Sequence, residues 1–199
     1  MTLHPSEAEF FDALYRRRRD PWDFADDPYE QARFRRIVDE LSEPHFSRAF
    51  EPGCAEGELT VKLAPRCGHL LALDLAATAA RRARERCREL ANVNVGCGPA
   101  DQGLEKGPFD LIVLSEVLYY FSEAELTRFV GQVGDALAPG AQVVAASWLG
   151  ESTDHQLSGE RAHQLVRTIA EDRGWGGHRH ERLTDPRRVG FIIESWRVW

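Results

Sequence analysis

The sequence predicts an α/β protein: a doubly wound, mostly parallel sheet of seven strands, with a C-terminal antiparallel hairpin and a helical N-terminal cap. Three observations predict it. Short apolar runs end at Glu51, Asp74, Cys97, Ser115 and Trp148. Helix-period segments fall between several of them, and such alternation folds as a parallel sheet covered on both faces. Two more strand-like runs, around 179–184 and 189–198, are joined by a short Asp-Pro turn, the pattern of a hairpin added at a sheet edge.

The individual elements carry local signals. Residues 6–19 read as a helix, with Ser6 as cap, Glu9 completing a capping box, and Phe10, Phe11 and Leu14 on the apolar face. The prolines of "DPWDFADDP" interrupt it. A second helix over 28–41 places Phe34, Ile37, Val38 and Leu41 at helical spacing. Further helices are expected over 78–90, over 123–137 with Ser122 and Glu125 as another capping box, and over 159–173.

Composition narrows the function. A chain of 199 residues, 43% of them hydrophobic, is expected to form one domain with its own core. No window is apolar for long enough to span a bilayer, and the N-terminus lacks the pattern of a secretory signal. A net charge of −7 disfavours a nucleic-acid backbone as partner. The arginine run 16–19 and the trio Arg81, Arg84 and Arg88 therefore read as solvated helix faces. Cys54, Cys67, Cys87 and Cys97 form no C-x-x-C pair and have no His at ligand spacing. Free thiols, no metal and a cytoplasmic location are the expectation.

The chemistry gathers at the first strand end, "FEPGCAEG". In doubly wound sheets the ligand sits beyond the carboxyl ends of the strands. That brings the 53–57 turn beside Asp74. A dinucleotide would need G-x-G-x-x-G, and the sixth position here is Glu58. Its pyrophosphate would also meet Glu51, Glu56 and Glu58, like charges at short range. S-adenosylmethionine has no phosphate and carries a cationic sulfonium, so an acidic turn favours it. Asp74 can accept hydrogen bonds from both ribose hydroxyls. Ala55 stands where a second glycine is usual and is expected to need only φ below zero.

These residues resemble the class I S-adenosylmethionine-dependent methyltransferases, whose fold is Rossmann-like. "FEPGCAEG" is similar to their first-strand motif, "ALDL" to their ribose-binding motif and "FDLIVLSEVLYYF" to their fourth-strand motif. Together with "DPWDF…PYE" and "LSGERAH", they resemble the nodulation protein S-like subfamily. The resemblance implies a single methyltransferase domain over 1–199, with a cap over 1–45 and a cofactor-binding core over 46–199. It implies that Gly53, Cys54, Ala55 and Gly57 face the methionyl group of the cofactor, with Glu51 beneath it. Asp74 and Leu75 would hold the ribose, and Ser115, Glu116 and Val117 would line the centre of the cleft. Pro99, Ala100 and Asp101 lie in the loop that flanks the adenine. Trp22 would fold over the cofactor, and Arg33 would meet the methionyl carboxylate through its planar fork.

The acceptor side follows the fourth and fifth strands. Tyr119, Tyr120, Trp148, Asp154, His155 and His163 are its expected lining. Glu116 and His163 are the candidates to remove a proton or orient the acceptor. "SEVLYY" lacks the N/D-P-P-Y/F signature of nucleic-acid amino-methyltransferases. The resemblance implies an amine or hydroxyl acceptor on a small molecule, of a sugar or sugar-like kind, with S-adenosylhomocysteine as coproduct. No nucleic-acid or membrane partner is expected, and a homodimer is allowed. The rival readings are a non-catalytic protein that binds the same cofactor and a dinucleotide enzyme.

Overall fold

A computed structural model describes residues 5–185 and 188–199, without the side chains of 5–7 and 185. The Ser6 cap and the Asp-Pro turn therefore fall outside what is described. Seven strands form one sheet in the order β3-β2-β1-β4-β5-β7-β6. They are β1 (Phe46–Pro52), β2 (Cys67–Asp74), β3 (Val93–Cys97), β4 (Phe109–Ser115), β5 (Leu137–Trp148), β6 (Gly176–Asp185) and β7 (Arg188–Arg197). The first five are parallel, and β7 runs antiparallel to both β5 and β6. The strand order reverses between β1 and β4, which opens a crevice at their carboxyl ends.

Period-two burial assigns the layers. Ile112 and Leu114 of β4 pack with Phe129, Val130 and Val166 on one face. Leu111 and Val113 pack with Phe34, Ile37 and Leu63 on the other. A strand buried on both faces reads as the continuous apolar run seen in "FDLIVLS". Helices α6 (Glu123–Asp135) and α7 (Gly159–Asp172) cover the first face, with the short α5 (Ala100–Leu104) beside them. Helices α2 (Pro28–Asp39) and α3 (Glu58–Leu63) cover the second. Helix α4 (Ala77–Arg86) presents Ala80 and Ala83 to Ala72 and Val95. Ser122 and Glu125 close the predicted capping box of α6.

The first helix, α1 (Pro5–Arg17), departs from its expected face. Phe10 is 46% exposed, while Asp12 and Tyr15 are buried. Tertiary contact decides this: Asp12 accepts a hydrogen bond from the Thr78 N–H (2.7 Å) at the start of α4, where α4 has no side-chain cap of its own. That bond turns Phe11 and Tyr15, four residues apart, inward. No helix among the described residues is long and apolar enough to cross a membrane.

Candidate active site

A cleft of about 710 Å³ lies beyond the carboxyl ends of β1, β2, β4 and β5, under α1, α2 and the segment between them. Its floor is the turn after β1. Gly53 has φ +72°, and a Cβ there would meet Val117 Cγ1 at 2.2 Å. Only glycine fits both constraints. The Gly53 and Cys54 N–H groups donate to the Leu73 carbonyl of β2, at 2.7 and 2.9 Å. Ala55 has φ +50°, which corrects the expectation of a negative φ. Its N–H donates to Asp74 Oδ2 at 2.8 Å, and this bond holds it in the left-handed region.

Asp74 also accepts from the Ala76 N–H at 2.8 Å. Its two oxygens thus stitch the β1 and β2 turns together and keep lone pairs for a ligand. Burial pushes its carboxyl up to about 6, against the lowering effect of the two backbone bonds. Glu51 is 2% exposed, and its Oε2 has no hydrogen-bond partner among the described residues. Burial pushes it up to about 8, with the Thr60 hydroxyl opposing and Asp74 adding.

The other two acids of the turn differ from the expected acidic ring. Arg82 of α4 pairs with Glu56, and Arg86 pairs with Glu58 at 2.5 Å. Those charges are answered within the protein, so the unpaired acid at this turn is Glu51. Gly57, with φ +84°, starts α3 and faces Ala83 of α4 rather than the cleft. Pro99 and Asp101 also lie outside the cleft lining, while Gly98 and Ala100 contribute to it.

Arg33 is 1% exposed and bridges two acids. Its Nη1 lies 2.8 Å from Glu116 Oε1, and its Nη2 lies 2.6 Å from Glu30 Oε2. Its Nε has no hydrogen-bond partner among the described residues. Burial pushes Glu30 up to about 7; Arg33 opposes and Glu116 adds. Glu116, in the cleft lining, has φ +59°, a second non-glycine residue of that lining held in the left-handed region. Three donors fix its carboxylate besides the backbone ladder: Arg33, the Trp148 N–H (2.8 Å) and the Tyr119 hydroxyl (2.6 Å).

The far wall is aromatic. His155 stacks on Tyr119 at 3.9 Å between ring centres and meets Tyr120 and Trp148 edge-on. Its Nδ1 is buried without a hydrogen-bond partner among the described residues. Burial lowers its pKa below the ordinary 6.5, against Asp154 and Glu116. Trp22 also lines the cleft, stacked on Phe24 and edge-on to Tyr15.

Of the residues singled out in the sequence, Trp22, Arg33, Glu51, Gly53, Cys54, Ala55, Asp74, Leu75 and Ala100 line this cleft. Ser115, Glu116, Val117, Tyr119, Tyr120, Trp148, Asp154 and His155 line it too. His163 is the correction. It is fully buried outside the cleft, with Nδ1 2.7 Å from Glu194 Oε2 and Nε2 3.1 Å from Ser147 Oγ. Both ring nitrogens are occupied, which leaves it a structural role. The sequence reading missed Phe11, Tyr15, Phe24, Glu30 and Arg188, which also line the cleft. Phe24 and Glu30 lie within "RRDPWDFADDPYE", but Phe11 and Tyr15 of α1 and Arg188 of the hairpin reach the cleft only through folding.

Comparison with known proteins places this geometry. The family model for nodulation protein S (NodS) matches residues 7–155. Nodulation protein S of Rhizobium tropici is 36% identical over 130 residues, 64% of this chain and 55% of that protein. The chain thus spans little more than half the length of that relative. A probable non-canonical nonribosomal peptide synthetase, CymA, of Salinispora arenicola is 36% identical over 124 residues, 59% of this chain and 2% of its own length. The crystal structure of the N-methyltransferase NodS from Bradyrhizobium japonicum WM9 with S-adenosyl-L-homocysteine superimposes with a TM-score of 0.81 at 24% identity, covering 97% of each chain. That likeness carries the fold. With three quarters of its length matched by the family model, the chain belongs to the nodulation protein S family.

Proposed function

We propose that this protein transfers a methyl group from S-adenosylmethionine to an amine or hydroxyl of a small molecule. The observation that carries this reading is Asp74, buried between the Gly53 turn and the Ala76 N–H in the cleft at the strand-order reversal. The cofactor fits the residues present. Asp74 retains lone pairs for two ribose hydroxyls. The bare Gly53 backbone allows close approach of a methionyl chain. Arg33 and Glu51 both line the cleft, placing a cation for the methionyl carboxylate and an acid for its ammonium. Leu75 and Ala100 supply apolar contacts for a base, and Trp22 with α1 and α2 forms the cap. The solved family fold with S-adenosyl-L-homocysteine, the demethylated product, supports the same cofactor.

The bound sulfonium supplies an electrophilic methyl group with an excellent leaving group. The protein's task is then alignment and exclusion of water, and alignment alone can supply roughly 7–11 kcal/mol of the barrier. Tyr119, Tyr120, Trp148, Asp154 and His155 form the acceptor wall. An ammonium acceptor must first lose a proton, because its lone pair is the nucleophile. His155 is suited to take it: its ring stands in the acceptor wall and burial lowers its pKa, which favours the neutral base. Glu116, held by three donors, orients Arg33 and the wall. The acid-rich cleft favours a cationic acceptor, and a relative described as an N-methyltransferase supports nitrogen over oxygen. An amino sugar is the acceptor class proposed.

Incubation with S-adenosylmethionine and a panel of amino sugars, matched hydroxylated sugars and free amines tests this. The mass gain of one methyl group on an amine is expected. Tight cofactor binding with no product from any acceptor would favour a purely binding role.

A further inference from the structure

A second cluster of ligand atoms lies away from the cleft, on the β6-β7 hairpin. His180 of β6 stands directly opposite Glu194 of β7, and His178 sits two residues earlier on the same face. His178 Nε2 is 3.0 Å and His180 Nδ1 is 2.8 Å from Glu194 Oε1. The two nitrogens and the carboxylate oxygen lie within 4.8 Å of one another. Arg167 Nη1 from α7 also reaches Oε1, at 2.8 Å. Three donors therefore converge on one oxygen that has two lone pairs.

We propose that His178, His180 and Glu194 form a binding site for a divalent transition-metal ion, with Zn²⁺ the best match. Two imidazoles and one carboxylate are the donor set of open zinc sites, in which water completes the tetrahedron. Zn²⁺ takes such nitrogen and oxygen ligands at about 2.0–2.2 Å. The metal replaces two of the three donors on Oε1 and leaves the remaining lone pair to Arg167. The outer contacts hold the ligands in place. Trp196 stacks on the His178 ring at 5.2 Å. His163 Nδ1 fixes Glu194 Oε2, and its own Nε2 is held by Ser147. Such supports orient ligands and are worth roughly 10–100-fold in metal affinity. Glu194 is fully buried, while His178 and His180 are exposed, so an ion reaches the site from solvent.

Zinc titration of the whole chain, in competition with a chromogenic zinc indicator, tests the site. Cys97 is an exposed thiol, so the titration uses a Cys97→Ser background. One ion per chain is expected. His178→Ala and His180→Ala should each weaken binding by more than about tenfold, since a ligand matters more than its supports. Both side chains are solvent-facing, and melting of the zinc-free variants reports their folding separately. Zinc should raise the melting temperature of the parent and not of the variants. Absence of binding to the parent would reduce the cluster to a hydrogen-bonded staple and overturn the proposal. Equal affinity in the parent and both variants would place the ion elsewhere and overturn it too.

Discussion

Arg33 Nη1 lies 2.8 Å from Glu116 Oε1 while its other terminal nitrogen lies 2.6 Å from Glu30, so one buried guanidinium ties helix α2 to the end of the fourth strand. Removing one partner of a buried pair costs about 3–5 kcal/mol. Arg33→Met should lose that much in urea unfolding. Glu30, already raised to about 7 by burial, then loses its opposing cation, so the deficit should grow from pH 6 to pH 8. Arg33→Lys should recover little, because a point charge cannot span two carboxylates as a planar fork does. A lysine variant of parental stability would show that the fork geometry is unimportant.

Ala55 carries a testable strain. At φ +50° an alanine costs roughly 1–2 kcal/mol, which glycine avoids at an entropic cost of about 0.5–1. Ala55→Gly should therefore stabilise the protein by up to about 1 kcal/mol, or roughly 2–4 °C for a chain of this size. A lower melting temperature would mean that the alanine methyl makes a packing contribution larger than the strain.

Glu51 sets a pH dependence. Its folded-state pKa is raised by burial to about 8 from 4.5. Between those values the native state holds a proton that the unfolded chain has released. The stability this contributes is complete below about pH 4.5 and is lost as pH rises through about 8. Glu51→Gln should remove the loss, so the variant gains on the parent as pH increases from 5 to 9. Parallel curves for the two proteins would mean that Glu51 is ionised and solvated in the native state.

His155 and His163 should separate by their effects. His155→Ala should lower kcat by about 10²–10⁴-fold on an amine acceptor, the usual weight of a general base. It should leave cofactor affinity unchanged and remove the acidic limb of the pH–rate profile. His163→Ala should lower stability instead, since it leaves the buried Ser147 hydroxyl and one Glu194 oxygen without that partner. Intact turnover with His155→Ala would transfer the proton step to solvent.

Much of this arrangement is legible in the sequence, for physical reasons. Continuous apolar runs make "FDLIVLS" and "AQVVAASW" readable as strands buried on both faces. A strand end fixes where Glu51, Asp74 and Ser115 lie, so most of the cleft-lining residues at the strand ends follow from register alone. What stays hidden depends on contacts distant in the chain. Nothing near Glu56 and Glu58 announces that Arg82 and Arg86 neutralise them. The sign of φ at Ala55 is set by Asp74, nineteen positions away. His163 looks catalytic from its helix start, yet its helix face turns it into the core toward Glu194. Tyr15 joins the cleft because Asp12 docks α1 onto α4, a bond between residues 66 apart.

Calorimetric titration with S-adenosyl-L-homocysteine, on the parent and on Asp74→Ala, tests the central claim most directly. The parent should bind one ligand per chain and show no heat with NAD. The variant should lose charge-assisted bonds worth about 1.5–3 kcal/mol, roughly a 10–150-fold rise in Kd. Its turn also loses the Ala55 and Ala76 anchors, so circular dichroism must show that it folds. A folded variant with parental affinity, or a parent that binds no S-adenosyl-L-homocysteine, would contradict the assignment of this cleft.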